Sequence, residues 1–168
     1  MTLANYLYAL VYSDVYDDRM WQSWGANLLE DAEYNINTEW VFNVVLANDK
    51  TELFEAISER MNCENYLGYN KYVLTEIIQG YYYYQYINKK IYMYELLNKA
   101  GDVADAGEDS LGCEFFYGLL NKIDYFPQLI ESSQFKKKVS KYFVPRYREA
   151  MGQKQVLESA TVKDLILD

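Results

Sequence analysis

The first 126 residues of this chain contain no proline. Helices can therefore propagate anywhere in that span without the one residue that removes a backbone donor and costs about 3 kcal/mol inside a helix. Only Pro127 and Pro145 follow. No β-branched, alternating run is long enough to make a strand, so the pattern predicts an all-α fold. At 168 residues the simplest arrangement is one domain over 1–168, a compact bundle of about seven helices around a central Tyr-rich one. A chain of this length buries enough surface to need no disulfide or metal staple.

Apolar spacing places the helices. The first covers Leu3 to Ser13 and the second Arg19 to Tyr34, with Trp21, Trp24, Leu28 and Ala32 on one face. Asn37 or Thr38 is positioned to cap the apolar helix EWVFNVVLA, and Asp49 with Glu52 reads as a capping box for a helix reaching Met61. After the loop CENYLGYN, the longest helix is expected from Lys71 to Asn98. KAGDVADAGEDS then reads as an acidic loop whose Asp109 or Ser110 caps a helix to Ile123. Short helices at Pro127–Glu131, Gln134–Phe143 and Arg146–Met151 complete the chain before a C-terminal turn.

Residues 80–94, GYYYYQYINKKIYMY, hold seven of the 19 tyrosines. On a helical wheel, Tyr81, Tyr84 and Tyr92 fall on the main core face, with Tyr82 and Tyr86 on a seam beside it. A helix apolar nearly all round is a central one, and tyrosine suits it because the ring buries while the hydroxyl reaches an acceptor at the rim. Tyr83 and Tyr94 share a third direction, three turns apart, and are the two expected to meet a partner.

Catalytic signatures are missing. With no histidine, the commonest general base and metal ligand are both absent. The eight glycines form neither GxGxxG nor a Walker A loop, and there is no GxSxG. Asp102, Asp105, Glu108 and Asp109 are spaced by three and lack the terminal Glu of an EF-hand. Cys63 and Cys113 have no partners at metal-ligand spacing and read as buried thiols. The expectation is no enzyme, no cofactor and no metal; a carboxylate-based or metal-dependent enzyme is the alternative such clusters leave open.

Charge is uneven. Residues 1–64 carry 12 acids against 3 bases, whereas residues 135–168 carry 4 against 8. The basic segment QFKKKVSKYFVPRYR reads as an amphipathic helix with its aromatics inward, since a net charge of −9 repels phosphate. No nucleic acid is expected. The N-terminal apolar run is preceded by no basic residue, the first being Arg19, and no run approaches a membrane span, so a cytoplasmic protein away from membranes is expected. Tyr12, Asp14, Tyr16, Asp17, Asp18, Glu30, Asp31, Glu33 and Tyr34 make an acidic, tyrosine-rich surface suited to a basic protein partner.

Two stretches carry a resemblance: TEWVFNVVLANDKTELFEAI, and the later segment with Gly80, Ala100, Gly101, Asp105, Cys113, Phe116, Tyr117 and Leu120. They resemble small helical bacterial proteins of uncharacterised-domain type, which are often immunity proteins of polymorphic toxin systems. The resemblance implies neutralisation of a basic toxin domain by direct occlusion and transfers no catalytic residue. A phage-encoded inhibitor of a host defence protein is the alternative binding role.

Overall fold

The computed structural model describes residues 2–30, 32–65, 71–107 and 111–165. Among them the chain is all-helical, with no strand and with eight α-helices rather than about seven. These are α1 Leu3–Tyr12, α2 Asp18–Leu28, α3 Glu39–Leu46, α4 Lys50–Asn65, α5 Lys71–Ile87, α6 Met93–Ala106, α7 Cys113–Tyr125 and α8 Ser133–Glu158. Two 3-10 turns, Pro127–Glu131 and Val162–Leu165, complete the set. The expected caps at Asp109 and Ser110 lie outside the described residues, as do Asp31, Glu108 and the side chain of Cys63. No helix among the described residues is long and apolar enough to cross a membrane.

The helices group into two compact units. The first comprises Met1–Asn70 with Gln153–Asp168, the second Lys71–Gly152.

In the first unit α2 packs on α3, and α4 packs on both α3 and α1. Leu7, Leu10, Val41, Val44, Leu53 and Ile57 are fully buried there. Each such side chain contributes about 1.5–3 kcal/mol on burial. Trp24 lies 6.0 Å from Trp40, ring centre to ring centre, and its Nε1 donates to the Leu157 carbonyl at 2.9 Å. The Arg60 guanidinium donates to the Leu165 carbonyl, which fastens the last 3-10 turn to α4.

Helix α2 stops at Leu28, short of the expected Tyr34. Local side-chain hydrogen bonds win over helix propagation in the segment that follows. Thr38 Oγ1 accepts from Asn35 N and donates to the Glu33 carbonyl, both at 2.9 Å. Thr38 therefore occupies the N-cap position of α3 while its hydroxyl ties the preceding loop rather than the helix. Asp49 caps α4 as expected, accepting from Thr51 N and Glu52 N, but Glu52 reaches back to Asn48 N instead of Asp49 N.

In the second unit α6 packs on α5 and α7. The single helix expected over Lys71–Asn98 is two. It ends in a Schellman motif: Lys90 N bonds to the Gln85 carbonyl and Lys89 N to that of Tyr86, with Lys89 at φ 59°. The wheel drawn through this break fails beyond it. Tyr92 is 84% exposed instead of core, whereas Tyr81, Tyr82, Ile91 and Leu96 are buried. KAGDVADA is helix, not loop, because Leu96, Leu97, Ala100, Val103 and Ala104 form its buried face. Asp102 accepts from the Tyr117 hydroxyl at 3.0 Å and from Asn98 Nδ2 at 2.9 Å, and Cys113 Sγ lies 3.5 Å from Asp105. These acids staple α6 to α7.

Pro145 lies inside α8, where two short helices were expected. Proline removes the intrahelical bond that position 145 would make to the Lys141 carbonyl, and one residue on, the Arg146 guanidinium donates to the Tyr142 carbonyl at 3.3 Å. The basic segment divides as its amphipathic pattern requires: Phe135 and Phe143 are buried, and Lys137, Lys138 and Lys141 are exposed. Gly80 faces this helix directly. A β-carbon there would sit 2.6 Å from the Arg146 carbonyl carbon and 2.9 Å from Ala150 Cβ.

Two substitutions separate these constraints. Gly80→Ala should lower the unfolding free energy by about 1–3 kcal/mol through overpacking. Lys89→Gly should raise it by about 1 kcal/mol by relieving the left-handed residue. Urea melts of both variants check the signs.

Candidate functional site

The exposed acids of the first unit arise from two local events. At the end of α1, Val15 N bonds to the Leu10 carbonyl and Asp14 N to that of Val11. Asp14, at φ 59°, is thus the left-handed residue of a second Schellman motif. The chain reverses there, and Asp17 then starts α2 by accepting from Met20 N at 3.0 Å. The start of α4 brings a second capping aspartate, Asp49, to the same place.

Together these turns form a cleft of about 340 Å³ lined by Asp14, Tyr16, Asp17, Asp18, Trp21, Asn48, Asp49 and Lys50. Lys50 Nζ is ion-paired with Asp14. Asp18 is exposed and accepts from Arg19 N at 3.0 Å. Trp21 is only 2% exposed, and its Nε1 has no acceptor among the described residues. Trp21, Asn48, Asp49 and Lys50 were not among the expected site residues. Asp49 carried a legible capping signal, but its proximity to Asp14 is a tertiary fact.

The remaining expected acids lie elsewhere. Glu30 and Glu33 follow the far end of α2, about 16 Å of helix away from Asp17. Both are exposed, and neither carboxylate has a hydrogen bond or ion pair among the described residues. Tyr34, 65% exposed, donates to Glu39 at 2.9 Å and lies 5.2 Å from the Phe42 ring. Ile36, at 85%, projects from the same loop. Acid and exposed apolar surface therefore coincide at residues 30–39. Asp31 lies outside the described residues.

The tyrosines are less available than expected. Tyr12 is half-buried and stacks on Tyr8 at 5.6 Å. Tyr16 is buried, donating to Glu158 at 3.2 Å beneath the Lys154 ammonium. Burial, reinforced by the Glu158 carboxylate, pushes its phenol far above the ordinary value. In the second unit Tyr83 is only 6% exposed, lies parallel to Phe143 at 5.5 Å and donates to Ser140. It packs inside the unit and leaves little of its ring at the surface. Tyr94 is exposed on α6, and its expected alignment with Tyr83 disappears with the helix break.

Among the described residues no group of three or more His, Cys, Asp or Glu is placed to hold a metal ion. No protein-family model matches the chain, and comparison with curated proteins and with solved structures likewise gave no match. The resemblance noted above rests on its own segments.

The Tyr16 shift has a definite sign. Below the ordinary phenol pKa of about 10, both folded and unfolded chains keep the proton. Above it the unfolded chain releases the proton first, so stability falls as pH rises toward the folded value. Tyr16→Phe should flatten this alkaline loss in urea melts at successive pH values.

Proposed function

We propose that this chain is a non-enzymatic binding protein whose first unit receives a basic protein, best read as an immunity protein occluding a toxin domain. One observation carries the reading: charge is segregated between the two units. The first unit has 15 acids against 5 bases, a net of −10, and the second has 10 against 11, a net of +1. Essentially all of the chain's net charge therefore belongs to one unit. Such a field accelerates encounter with a basic partner and repels acidic ones.

The loop at 30–39 supports a protein rather than a small cation as the ligand. Tyr34 and Ile36 provide exposed apolar area beside Glu30 and Glu33, the mixture from which interface anchors and their polar rims are built. Neutralisation by occlusion requires no turnover by this chain. The absence of histidine and of nucleophile motifs is compatible with that mechanism.

Co-purification with the product of the adjacent gene, and growth rescue against it, test the role. Glu30→Lys together with Glu33→Lys should slow association about tenfold at low salt, and added salt should slow the unsubstituted protein in the same way. Stopped-flow association rates measure both. Association insensitive to salt and to these reversals would exclude the acidic unit as the docking face.

A further inference from the structure

Helix α3 ends at Leu46, where Ala47 turns extended at ψ 127°, and Asp49 then caps the start of α4. A groove of about 350 Å³ lies between the two helices, lined by Asn43, Leu46, Ala47, Glu52, Glu55 and Ala56. Its apolar surface continues beyond it. Glu39, Phe42, Asn43 and Leu46 follow one another at i, i+3, i+4 and i+7, which makes them one stripe of α3. Tyr34 lies against the Phe42 ring at 5.2 Å, and Leu46 at the other end of the stripe is 72% exposed. Uncovered apolar area therefore reaches from the loop at 34–36 along α3 to the groove.

The charge lining this groove has one sign. No lysine or arginine lines it, and the neighbouring Lys50 is ion-paired with Asp14. Glu55 is exposed, and its carboxylate has no hydrogen bond or ion pair among the described residues. Glu52 spends one oxygen on Asn48, accepting from N at 2.8 Å and from Nδ2 at 3.0 Å, and keeps its charge. Uncovered leucine surface beside carboxylates suits a partner whose apolar side chains are flanked by bases.

The backbone limits how a polypeptide can meet that demand. Among the described residues there is no strand, so no sheet edge is open to strand addition. The lining has no aromatic ring to grip a polyproline segment and no arginine to hold a phosphate. A groove between two helices is where an amphipathic helix lays down its apolar face. We propose that the α3–α4 groove receives a basic amphipathic helix of the protein partner. Its apolar side chains pack on Leu46 and Ala56, and its lysines or arginines stand beside Glu52 and Glu55. The chain's own basic helix is not that occupant, since Phe135, Val139 and Phe143 of α8 are already buried. The assignment deepens the protein-binding reading and rests on it for the identity of the partner.

The probe is an acetylated, amidated peptide of leucine and lysine, about 14 residues long, with its leucines on one helical face. Titrated into the ¹⁵N-labelled full chain, it should shift the Leu46 and Ala56 amide resonances saturably and gain helical circular dichroism as it binds. A scrambled peptide of the same composition should bind about tenfold more weakly, because it cannot present one apolar face. The same peptide with glutamate for lysine should not bind. Leu46→Ala should weaken binding about tenfold and Glu55→Lys about threefold. Both side chains are exposed and neither caps a helix, so both variants should fold. The proposal is overturned if the scrambled peptide binds equally, if neither substitution matters, or if the shifts gather elsewhere. Self-association of the chain that Leu46→Ala abolishes would also overturn it, by making a second copy the occupant. Capture of a basic protein that is indifferent to Leu46→Ala would sink the groove and leave the protein-binding role standing. A responsive groove with no basic protein captured would do the reverse.

Discussion

Helix α5 lies against the backbone of α8 because residue 80 has no side chain. Any β-carbon at that position would collide with the Arg146 carbonyl group, an obstacle that no rotamer change relieves. The polar geometry of the second unit follows from this approach. Tyr81 reaches the Ala150 carbonyl at 3.0 Å, one helical turn beyond Arg146. Buried Gln79 accepts from both Tyr142 and Arg146, and Arg146 pairs with Glu76 at 2.7 Å. Buried amides and guanidinium groups are tolerated only when such partners stand ready. Tyr81 and Tyr83 can then bury their rings, because α8 supplies acceptors for their hydroxyls, the Ala150 carbonyl and the Ser140 side chain.

Much of this architecture was legible in the residue order. Leu3–Tyr12 followed from apolar spacing, the Asp49 cap from side-chain chemistry, and the turn at Pro127 from a proline that opens a helix but cannot continue one. One error traces to a left-handed residue that is not glycine. Asp14 and Lys89 each occupy a left-handed position that usually announces itself as glycine or asparagine, so one helix looked continuous through Lys89. Conversely, Ala100–Gly101 and Pro145 looked like breaks. Gly101 sits within α6, and its missing side chain lets the Tyr117 ring approach to 2.6 Å of where a β-carbon would be. That contact comes from another helix and no local window contains it.

The candidate site divides along the same line. Which residues are acidic is plain from the sequence, as is their concentration in the first third. Which acids meet is not. Asp14 and Asp49 come together only because α1 reverses where it does, whereas Glu30 and Glu33 are held apart from them by the length of α2. Tyr16, Tyr83 and Tyr92 show how residue type misleads on exposure. The first two are buried by hydroxyl partners far along the chain, and the last is exposed because it precedes α6 instead of continuing α5.

All three tryptophans, Trp21, Trp24 and Trp40, belong to the first unit, while most of the tyrosines belong to the second. Light absorbed by indole alone therefore reports on the acidic unit, and tyrosine emission reports chiefly on its neighbour. The chain carries an intrinsic two-colour record of its own denaturation. Coincident emission curves would mark one cooperative transition, and separated curves two units that melt independently.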